Sequence, residues 1–131
     1  MFAADTRFLI VDDMMAMRRL MIRALKELGY SDFLEAADGA QAWEALISSK
    51  ISVGVILADW IMPNSNGLDL LKRIRSSERF QDLPFILVTV ESNAEQVAKA
   101  KKAGVTGYIV KPFDLEAIKA NLATAYKKAA G

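Results

Sequence analysis

Five short apolar runs, separated by longer stretches with helical spacing, are the feature of this sequence that most constrains its fold. The runs have the length of buried strands and read RFLIV, FLEA, SVGVILA, FILVT and GYIV. Parallel strands need crossover connections, so strands that alternate with helices predict an α/β fold, a mostly parallel sheet with helices on both faces. Because 131 residues is the size of one compact domain, we expect residues 1–131 to form a single domain.

The bounds of the five expected helices follow from apolar spacing and from capping residues. Asn66 and Asn93 are candidate N-caps, and Gly29 is a candidate C-terminal cap. The expected helices cover residues 14–28, 39–48, 68–75, 93–104 and the segment from 115 onward. Met14 and Met15 are assigned to the start of the first helix and to the core.

The composition excludes several classes of chemistry. The chain has no cysteine and no histidine, which removes disulfides, thiolate metal sites, thiol catalysis, histidine bases and histidine ligands. A net charge of +1 provides no strong field for nucleic acid or for an anionic membrane. The stretch MFAADTRF lacks a signal-peptide apolar region, and no apolar run is long enough to span a bilayer. We therefore expect a soluble cytoplasmic protein without nucleic-acid binding or membrane insertion.

Chemically active side chains follow four of the expected strands. Asp12 and Asp13 follow the first strand, Asp59 follows the third, Thr89 ends the fourth and Lys111 follows the fifth. All strands of a parallel sheet end at one edge, where ligands of open α/β sheets bind, so these side chains are expected to meet there.

The residue types in this set favour phosphoryl chemistry. Crowded carboxylates remain ionised when a cation lies among them. Oxygen ligands without histidine or cysteine favour Mg²⁺, or alternatively Mn²⁺, over zinc. Lys111 and Thr89 can hold phosphoryl oxygens, and an aspartate carboxylate can act as the nucleophile. Although each motif alone is weak, together they predict a site that accepts a phosphoryl group.

Four segments at this edge, VDD, DWIMPNSNG, VTVES and GYIVKPF, resemble the receiver domain of two-component response regulators. The resemblance extends from about residue 7 to residue 127. The segments DDMMAMRR and LKELGY are similar to those of the single-domain chemotaxis regulators in that family. This resemblance implies a flavodoxin-like, doubly wound five-stranded parallel sheet with strand order 2-1-3-4-5.

The resemblance implies a role for each acidic residue of the site. Asp59 is the expected acceptor of a phosphoryl group from a CheA-like histidine kinase. Asp13, Asp59 and the backbone carbonyl of Ile61 are the expected Mg²⁺ ligands, and Asp12 is expected to act through a metal-bound water. The domain is expected to catalyse its own phosphorylation and autodephosphorylation without being a turnover enzyme on external substrates.

The resemblance also assigns the residues that transmit the signal. Lys111 is expected to pair with a phosphoryl oxygen and to be joined to Pro112 by a cis peptide bond. Thr89 is expected to turn toward the phosphoryl group, and Tyr108 to move inward behind it. These movements would shift the population from an inactive to an active form.

The expected output surface consists of the fourth helix, the fifth strand and the fifth helix. It presents Lys99, Lys101, Lys102, Tyr108 and Lys119. The resemblance implies a FliM-like flagellar motor switch protein as the target, the kinase and a phosphatase as further partners, and a monomeric protein. From the residues alone, these lysines fit a solvated helix face without a partner better than a binding surface.

Three positions differ from the pattern of the chemotaxis regulators. Val90 stands where alanine or glycine is usual, and its bulk is expected to crowd Tyr108 or to narrow access to the phosphoryl group. Ile61 replaces an asparagine and is expected to shield the phosphoryl group from water, which slows autodephosphorylation. Asn66 replaces an aspartate, which removes a charge but keeps the helix cap.

Three other functions stay open on the sequence. A phosphate sink or phosphorelay intermediate would have the same fold and the same site. A magnesium-dependent phosphatase with an aspartate nucleophile would need a substrate-specificity cap, and no such segment is inserted after Asp59. FMN binding is disfavoured because an acidic pocket repels the phosphate of that cofactor.

Overall fold

The computed structural model of the chain describes residues 1–63 and 66–130. It contains one sheet of five parallel strands in the order β2-β1-β3-β4-β5, which confirms the predicted topology. The strands are β1 (Arg7–Val11), β2 (Asp32–Ala36), β3 (Val53–Ala58), β4 (Phe85–Thr89) and β5 (Gly107–Val110).

A helix follows each strand, within one or two residues of the predicted bounds. The helices are α1 (Met15–Glu27), α2 (Gly39–Ser48), α3 (Gly67–Arg75), α4 (Ala94–Lys102) and α5 (Leu115–Ala130). The predicted caps are confirmed, since the side chains of Asn66 and Asn93 accept hydrogen bonds in the first turns of α3 and α4. Gly29 and Gly104 end α1 and α4 with φ angles of 100° and 96°, which favour glycine.

Two apolar cores lie on opposite faces of the sheet. Alternate residues of a strand point to opposite faces, so Leu9 packs in one core and Phe8 and Ile10 pack in the other. The first core is covered by α2, α3 and α4 through buried residues that include Leu46, Leu71, Ile74 and Ala100. The second is covered by α1 and α5 through residues that include Met21, Leu25, Ile118 and Leu122.

The assignment of Met14 and Met15 to the core was wrong. Their side chains are 56% and 58% exposed, because α1 begins at Met15 and its first turn lies beyond the edge of the sheet. The buried face of α1 is formed further along the helix, by Met21, Ile22 and Leu25. The two exposed methionines therefore border the carboxyl-terminal edge of the sheet rather than filling the core.

The opposite, amino-terminal edge of the sheet is held by one arginine at the end of α3. The Arg75 guanidinium donates to the carbonyls of Leu83 at 2.7 Å, Gly104 at 3.0 Å and Gln81 at 3.1 Å. It also donates to the Thr106 hydroxyl at 3.4 Å. Burial lowers the pKa of the Arg75 guanidinium below its ordinary value, against a raising influence from a nearby carboxylate. This side chain connects the loop before β4 to the turn before β5.

Within the described ranges, none of the helices has the length and apolar character that crossing a membrane requires.

Candidate functional site

Three carboxylates meet at the carboxyl-terminal edge of the sheet, as the sequence predicts. Asp12 and Asp13 follow β1, Asp59 follows β3, and one oxygen of each lies within 4.8 Å of the others. The backbone fixes this arrangement, because the amide of Asp12 donates to the Ala36 carbonyl at 3.1 Å. The amide of Asp59 donates in the same way to the Val11 carbonyl at 2.9 Å. The sheet hydrogen bonding therefore continues one residue past the strands and places the acidic residues.

Lys111 lies between two of these carboxylates. Its Nζ is 2.9 Å from Oδ2 of Asp12 and 2.9 Å from Oδ2 of Asp59. Burial lowers the pKa of the Lys111 ammonium, but the hydrogen bonds and charges of the two aspartates outweigh this and raise the pKa above its ordinary value. The amide of Lys111 donates to the Thr89 carbonyl, and the bond to Pro112 is cis, as expected. The ammonium is thus held where a phosphoryl group on Asp59 would need it.

The charges and donors of the site fit a divalent cation. Three carboxylates and one ammonium leave two negative charges in excess, and the carboxylates supply only oxygen ligands. The other oxygens of Asp12 and Asp59 accept backbone amides, from Met14 at 2.9 Å and from Ile61 at 3.3 Å. Within the described residues Asp13 makes no hydrogen bond or ion pair, and its side chain is exposed. Asp13 is therefore the carboxylate most available to an incoming cation.

The start of α3 approaches the backbone of Asp59 closely. A Cβ atom on Gly67 would lie 2.1 Å from the backbone oxygen of Asp59, so only glycine fits there. The Gly67 amide donates to the Trp60 carbonyl at 2.8 Å, and the Trp60 side chain is buried in the core. Asn64 and Ser65, part of the DWIMPNSNG segment, lie outside the described residues.

The two residues expected to transmit the signal both hydrogen-bond to the backbone of one residue, Glu91. The fully buried Thr89 accepts a hydrogen bond on Oγ1 from the Glu91 amide at 3.4 Å. The Tyr108 hydroxyl donates to the Glu91 carbonyl at 2.6 Å. Burial, and then the charges of Glu91 and Asp59, raise the pKa of the Tyr108 phenol above its ordinary value. A movement of Thr89 that shifts the backbone of Glu91 would therefore change the hydrogen bond of the Tyr108 hydroxyl.

Ile61 and Val90, the two apolar residues that differ from the pattern of the chemotaxis regulators, are both exposed to solvent near the acidic site. The side chains of Ile61 and Val90 are 54% and 61% exposed. Val90 lines a surface cavity of about 440 Å³ together with residues of α1 and of the loop after β5, including Met17 and Phe113. Apolar surface therefore surrounds the charged site.

The lysines of the expected output surface are exposed, on α4 and α5. They are Lys99, Lys101, Lys102 and Lys119. Lys99 lies 3.9 Å from Glu95 in its own helix, which is a weak surface ion pair. The helices α4 and α5 that carry them pack on opposite faces of the sheet, and the half-buried Tyr108 lies in the edge strand β5.

Arg18 also reaches the site, which the motifs at the strand ends do not predict. Its Nη1 donates to the backbone carbonyl of Asp12 at 2.6 Å, and its Nε donates to Glu35 at 2.9 Å. Motifs at the ends of strands do not include a residue one turn into a helix. One signal was present, because a cation in the first turns of a helix is disfavoured by the helix dipole and calls for a specific partner.

Comparison with known proteins identifies the family. A family model described as "Response regulator receiver domain" matches residues 8–123. The chain is 46% identical over 116 residues to the chemotaxis protein CheY1 of Helicobacter pylori, which covers 88% of this chain and 93% of that protein. It is 43% identical over 116 residues to a chemotaxis protein CheY homolog of Campylobacter jejuni, covering 88% of each chain.

Solved structures agree on the fold. The chemotaxis response regulator CheY4 of Vibrio cholerae superposes with a TM-score of 0.82 at 29% identity, over 92% of this chain and 98% of that one. A receiver domain protein from Clostridium thermocellum superposes with a TM-score of 0.84 at 20% identity, over 95% and 97% of the two chains, and supports the fold alone. On the family model, the sequence relatives and the geometry of the site, the chain belongs to the response regulator receiver domain family and is CheY-like within it.

Proposed function

We propose that this protein is a phosphorylation-activated switch in chemotaxis, which accepts a phosphoryl group on Asp59 and thereby changes its affinity for a target. The observation that carries the proposal is the grouping of Asp12, Asp13, Asp59 and Lys111 at one edge of the sheet. The relatives named as chemotaxis proteins support the biological setting. The donor is a CheA-like histidine kinase, and the target is a FliM-like flagellar motor switch protein.

In the chemical step an Asp59 carboxylate oxygen attacks phosphorus, and the bond from phosphorus to the histidine nitrogen of the kinase breaks. Lys111, already 2.9 Å from Asp59, pairs with a phosphoryl oxygen as the new bond forms. Thr89 turns its hydroxyl toward another phosphoryl oxygen. Asp59, Asp13 and the Ile61 carbonyl would hold Mg²⁺, or alternatively Mn²⁺, and Asp12 would act on it through a metal-bound water. When bound, the cation neutralises charge on the phosphoryl oxygens.

The output follows from the link through Glu91. When Thr89 rotates toward the phosphoryl group, its hydrogen bond to the Glu91 amide is lost or rearranged. Tyr108, which donates to the carbonyl of the same residue, then settles inward and changes the surface formed by α4, β5 and α5. The phosphoryl group thus acts by differential contacts with two forms of the protein.

We also propose where the protein acts and in which oligomeric state. Residues 1–131 form one receiver domain that acts as a cytoplasmic monomer, catalyses its own phosphorylation and autodephosphorylation, and has no external substrate to turn over. A phosphatase that shortens the lifetime of the phosphoryl group is a further partner. One continuous sheet formed by all five strands supports the single domain.

A fluorescence titration tests the acceptor site directly. The buried Trp60 adjoins Asp59, whereas Trp43 lies on α2 and packs against Phe80. The chain has two tryptophans, so a Trp43→Phe background leaves Trp60 as the only indole. We expect Mg²⁺ with beryllium fluoride, a phosphoryl analogue, to change the Trp60 emission saturably. We expect no change in Asp59→Asn, and a change in the exposed control Asp69→Asn. Absence of a Mg²⁺-dependent change in the parent, or its persistence in Asp13→Ala, would contradict the proposal.

The biological assignment needs a second measurement. Phosphoryl transfer from a CheA-like kinase should label the parent and not Asp59→Asn, and the labelled protein should bind a FliM-derived peptide more tightly than the unlabelled one. Rapid return of the label to the kinase without peptide binding would instead favour a phosphate sink or relay intermediate.

A further inference from the structure

Arg18 connects the acidic loop to the edge strand of the sheet. From α1 its Nη1 donates to the Asp12 carbonyl at 2.6 Å, and its Nε donates to a Glu35 carboxylate oxygen in β2 at 2.9 Å. The Arg18 side chain is only 15% exposed. Its neighbour Arg19 lies 3.7 Å from the same Glu35 but is 67% exposed, and among the described residues it makes no hydrogen bond to the Asp12 peptide.

The contacts of Arg18 complete the anchoring of Asp12. The Asp12 amide donates to the Ala36 carbonyl at 3.1 Å, and its carboxylate accepts the Met14 amide and the Lys111 ammonium, both at 2.9 Å. Only the Asp12 carbonyl depends on Arg18. That carbonyl belongs to the peptide between Asp12 and Asp13, so the hydrogen bond from Arg18 determines how this peptide is oriented.

Asp13 depends on the orientation of that peptide more than any other acidic residue of the site. Among the described residues it has no hydrogen bond or ion pair of its own. The backbone alone therefore directs its carboxylate toward Asp59. If the peptide rotates, Asp13 is free to move away from Asp59, because the like charges repel each other.

We propose that Arg18 is a positioning residue for cation binding, which fixes the Asp12–Asp13 peptide so that Asp13 faces Asp59 before the cation arrives. The inference rests on the proposed function, because it assigns to the same site the residue that sets its affinity for Mg²⁺. Glu35 is the second anchor, since it holds the other side of the guanidinium fork.

Two effects of Arg18 oppose each other and must be separated. Its positive charge near the carboxylates disfavours a cation, while its hydrogen bond orders the peptide that presents Asp13. Arg18→Lys keeps the charge and loses the planar fork that spans the Asp12 carbonyl and Glu35. Arg18→Lys therefore isolates the positioning effect, and Arg19→Lys is the matched control on the adjacent residue.

The test is a Mg²⁺ titration followed by Trp60 emission in the Trp43→Phe background, which measures binding without activity. We expect Arg18→Lys to weaken Mg²⁺ binding about tenfold, as is typical when a residue that orients a metal ligand is changed. We expect Arg19→Lys to stay within about twofold of the parent, because surface pairs of this kind contribute little. Glu35→Gln leaves Arg18 in place and removes the charge of its second anchor while keeping an acceptor oxygen, so it should weaken binding by a smaller factor than Arg18→Lys.

A second readout separates positioning from a general structural role. With acetyl phosphate as donor, the Mg²⁺ concentration that gives half of the maximal phosphorylation rate should rise about tenfold in Arg18→Lys, whereas the maximal rate changes far less. A merely structural role would lower the melting temperature without this split.

The outcomes distinguish this inference from the function on which it rests. Equal Mg²⁺ affinity in the parent and in Arg18→Lys would overturn the role of Arg18 and leave the acceptor site intact. Equal weakening in Arg18→Lys and Arg19→Lys would do the same, because the effect would then be one of surface charge. A parent that shows no response to Mg²⁺ would overturn the proposed function itself.

Discussion

The two edges of the sheet place charged side chains in opposite ways. At the carboxyl-terminal edge Asp12, Asp13 and Asp59 are crowded together with one ammonium among them. At the amino-terminal edge the guanidinium of Arg75 donates to three backbone carbonyls and one hydroxyl, all neutral acceptors. Crowded like charges oppose folding, whereas neutral acceptors filled by one cation favour it.

This contrast separates the residues that maintain the fold from those that perform the chemistry. Along residues 1–63 and 66–130, every buried side-chain nitrogen and oxygen has a hydrogen-bond partner. The two edges therefore do not differ in the hydrogen bonding of their buried side chains. They differ in charge, because the acidic edge keeps a surplus of two negative charges, which a bound cation or protons can neutralise. The acidic edge should therefore respond to cations and pH, and the Arg75 edge should not respond to cations.

The largest effect on stability is expected at the edge without chemistry. Arg75→Met removes the donor of four hydrogen bonds and leaves carbonyls of two loops without it. We expect the free energy of unfolding to fall by about 3 kcal/mol, the upper part of the range for breaking a part-buried network. Denaturant titration by circular dichroism measures it, and Lys72→Met on the exposed side of α3 should change it by less than about 0.5 kcal/mol.

The same variant tests whether the edges are independent. At a temperature where Arg75→Met is folded, its affinity for Mg²⁺ should equal that of the parent. A loss of affinity comparable to that in Asp13→Ala would show that the two edges are coupled through the sheet.

The next effect concerns Lys111 and depends on pH. In the folded chain its pKa is raised above the ordinary 10.5, so the ion pairs add stability fully below the unfolded pKa and lose it as the pH rises through the folded pKa. In chelator at pH 7, Lys111→Met should therefore be less stable than the parent by about 2 kcal/mol, since two carboxylates lose their partner.

That difference should shrink as the pH is raised above the ordinary lysine pKa of 10.5, because the parent loses the contribution that the variant already lacks. Burial is the chief cause that raises the pKa values of the Tyr30 and Tyr108 phenols, so ionisation of these phenols at high pH also lowers the stability of both proteins. This loss of stability is common to the two proteins and cancels in their difference. A stability gap that stays constant through this range would show that Lys111 acts through packing rather than through its charge.

How well the sequence predicted each edge follows from the kind of contact involved. The acidic edge was predictable because parallel strands end together, so Asp12, Asp59 and Lys111 converge whatever the details of the loops. The Arg75 edge was not, since Arg75 and Gly104 are 29 residues apart and a long side chain that bonds to carbonyls leaves no periodic pattern. The exposure of Met14 was missed for a related reason, because apolar spacing does not reveal where the sheet stops beneath a helix.

A smaller effect is expected at the apolar rim of the acidic edge. Ile61 is half exposed and its backbone contacts Asp59, so its side chain lies where water would approach a phosphoryl group. Ile61→Asn should speed the decay of phosphorylated Asp59 about fivefold, which corresponds to about 1 kcal/mol in the barrier. The decay of label after removal of the donor measures this rate, and Ile47→Asn, at an exposed isoleucine near the end of α2, is the control. An unchanged decay rate in Ile61→Asn would remove the shielding role.

The smallest predicted change is a gain in stability at the site itself. Asp13 adds repulsion but no hydrogen bond among the described residues, so Asp13→Asn should raise the free energy of unfolding in chelator by about 0.5 kcal/mol. Adding Mg²⁺ should stabilise the parent, because a ligand that binds only the folded state shifts the unfolding equilibrium, and should stabilise Asp13→Asn much less. The order of the two stabilities should therefore reverse between chelator and saturating Mg²⁺. Melting curves in both conditions measure the reversal, with Asp69→Asn expected to follow the parent in each. If Asp13→Asn is less stable than the parent in chelator as well, Asp13 contributes to the fold, and the contrast between the two edges does not extend to this residue.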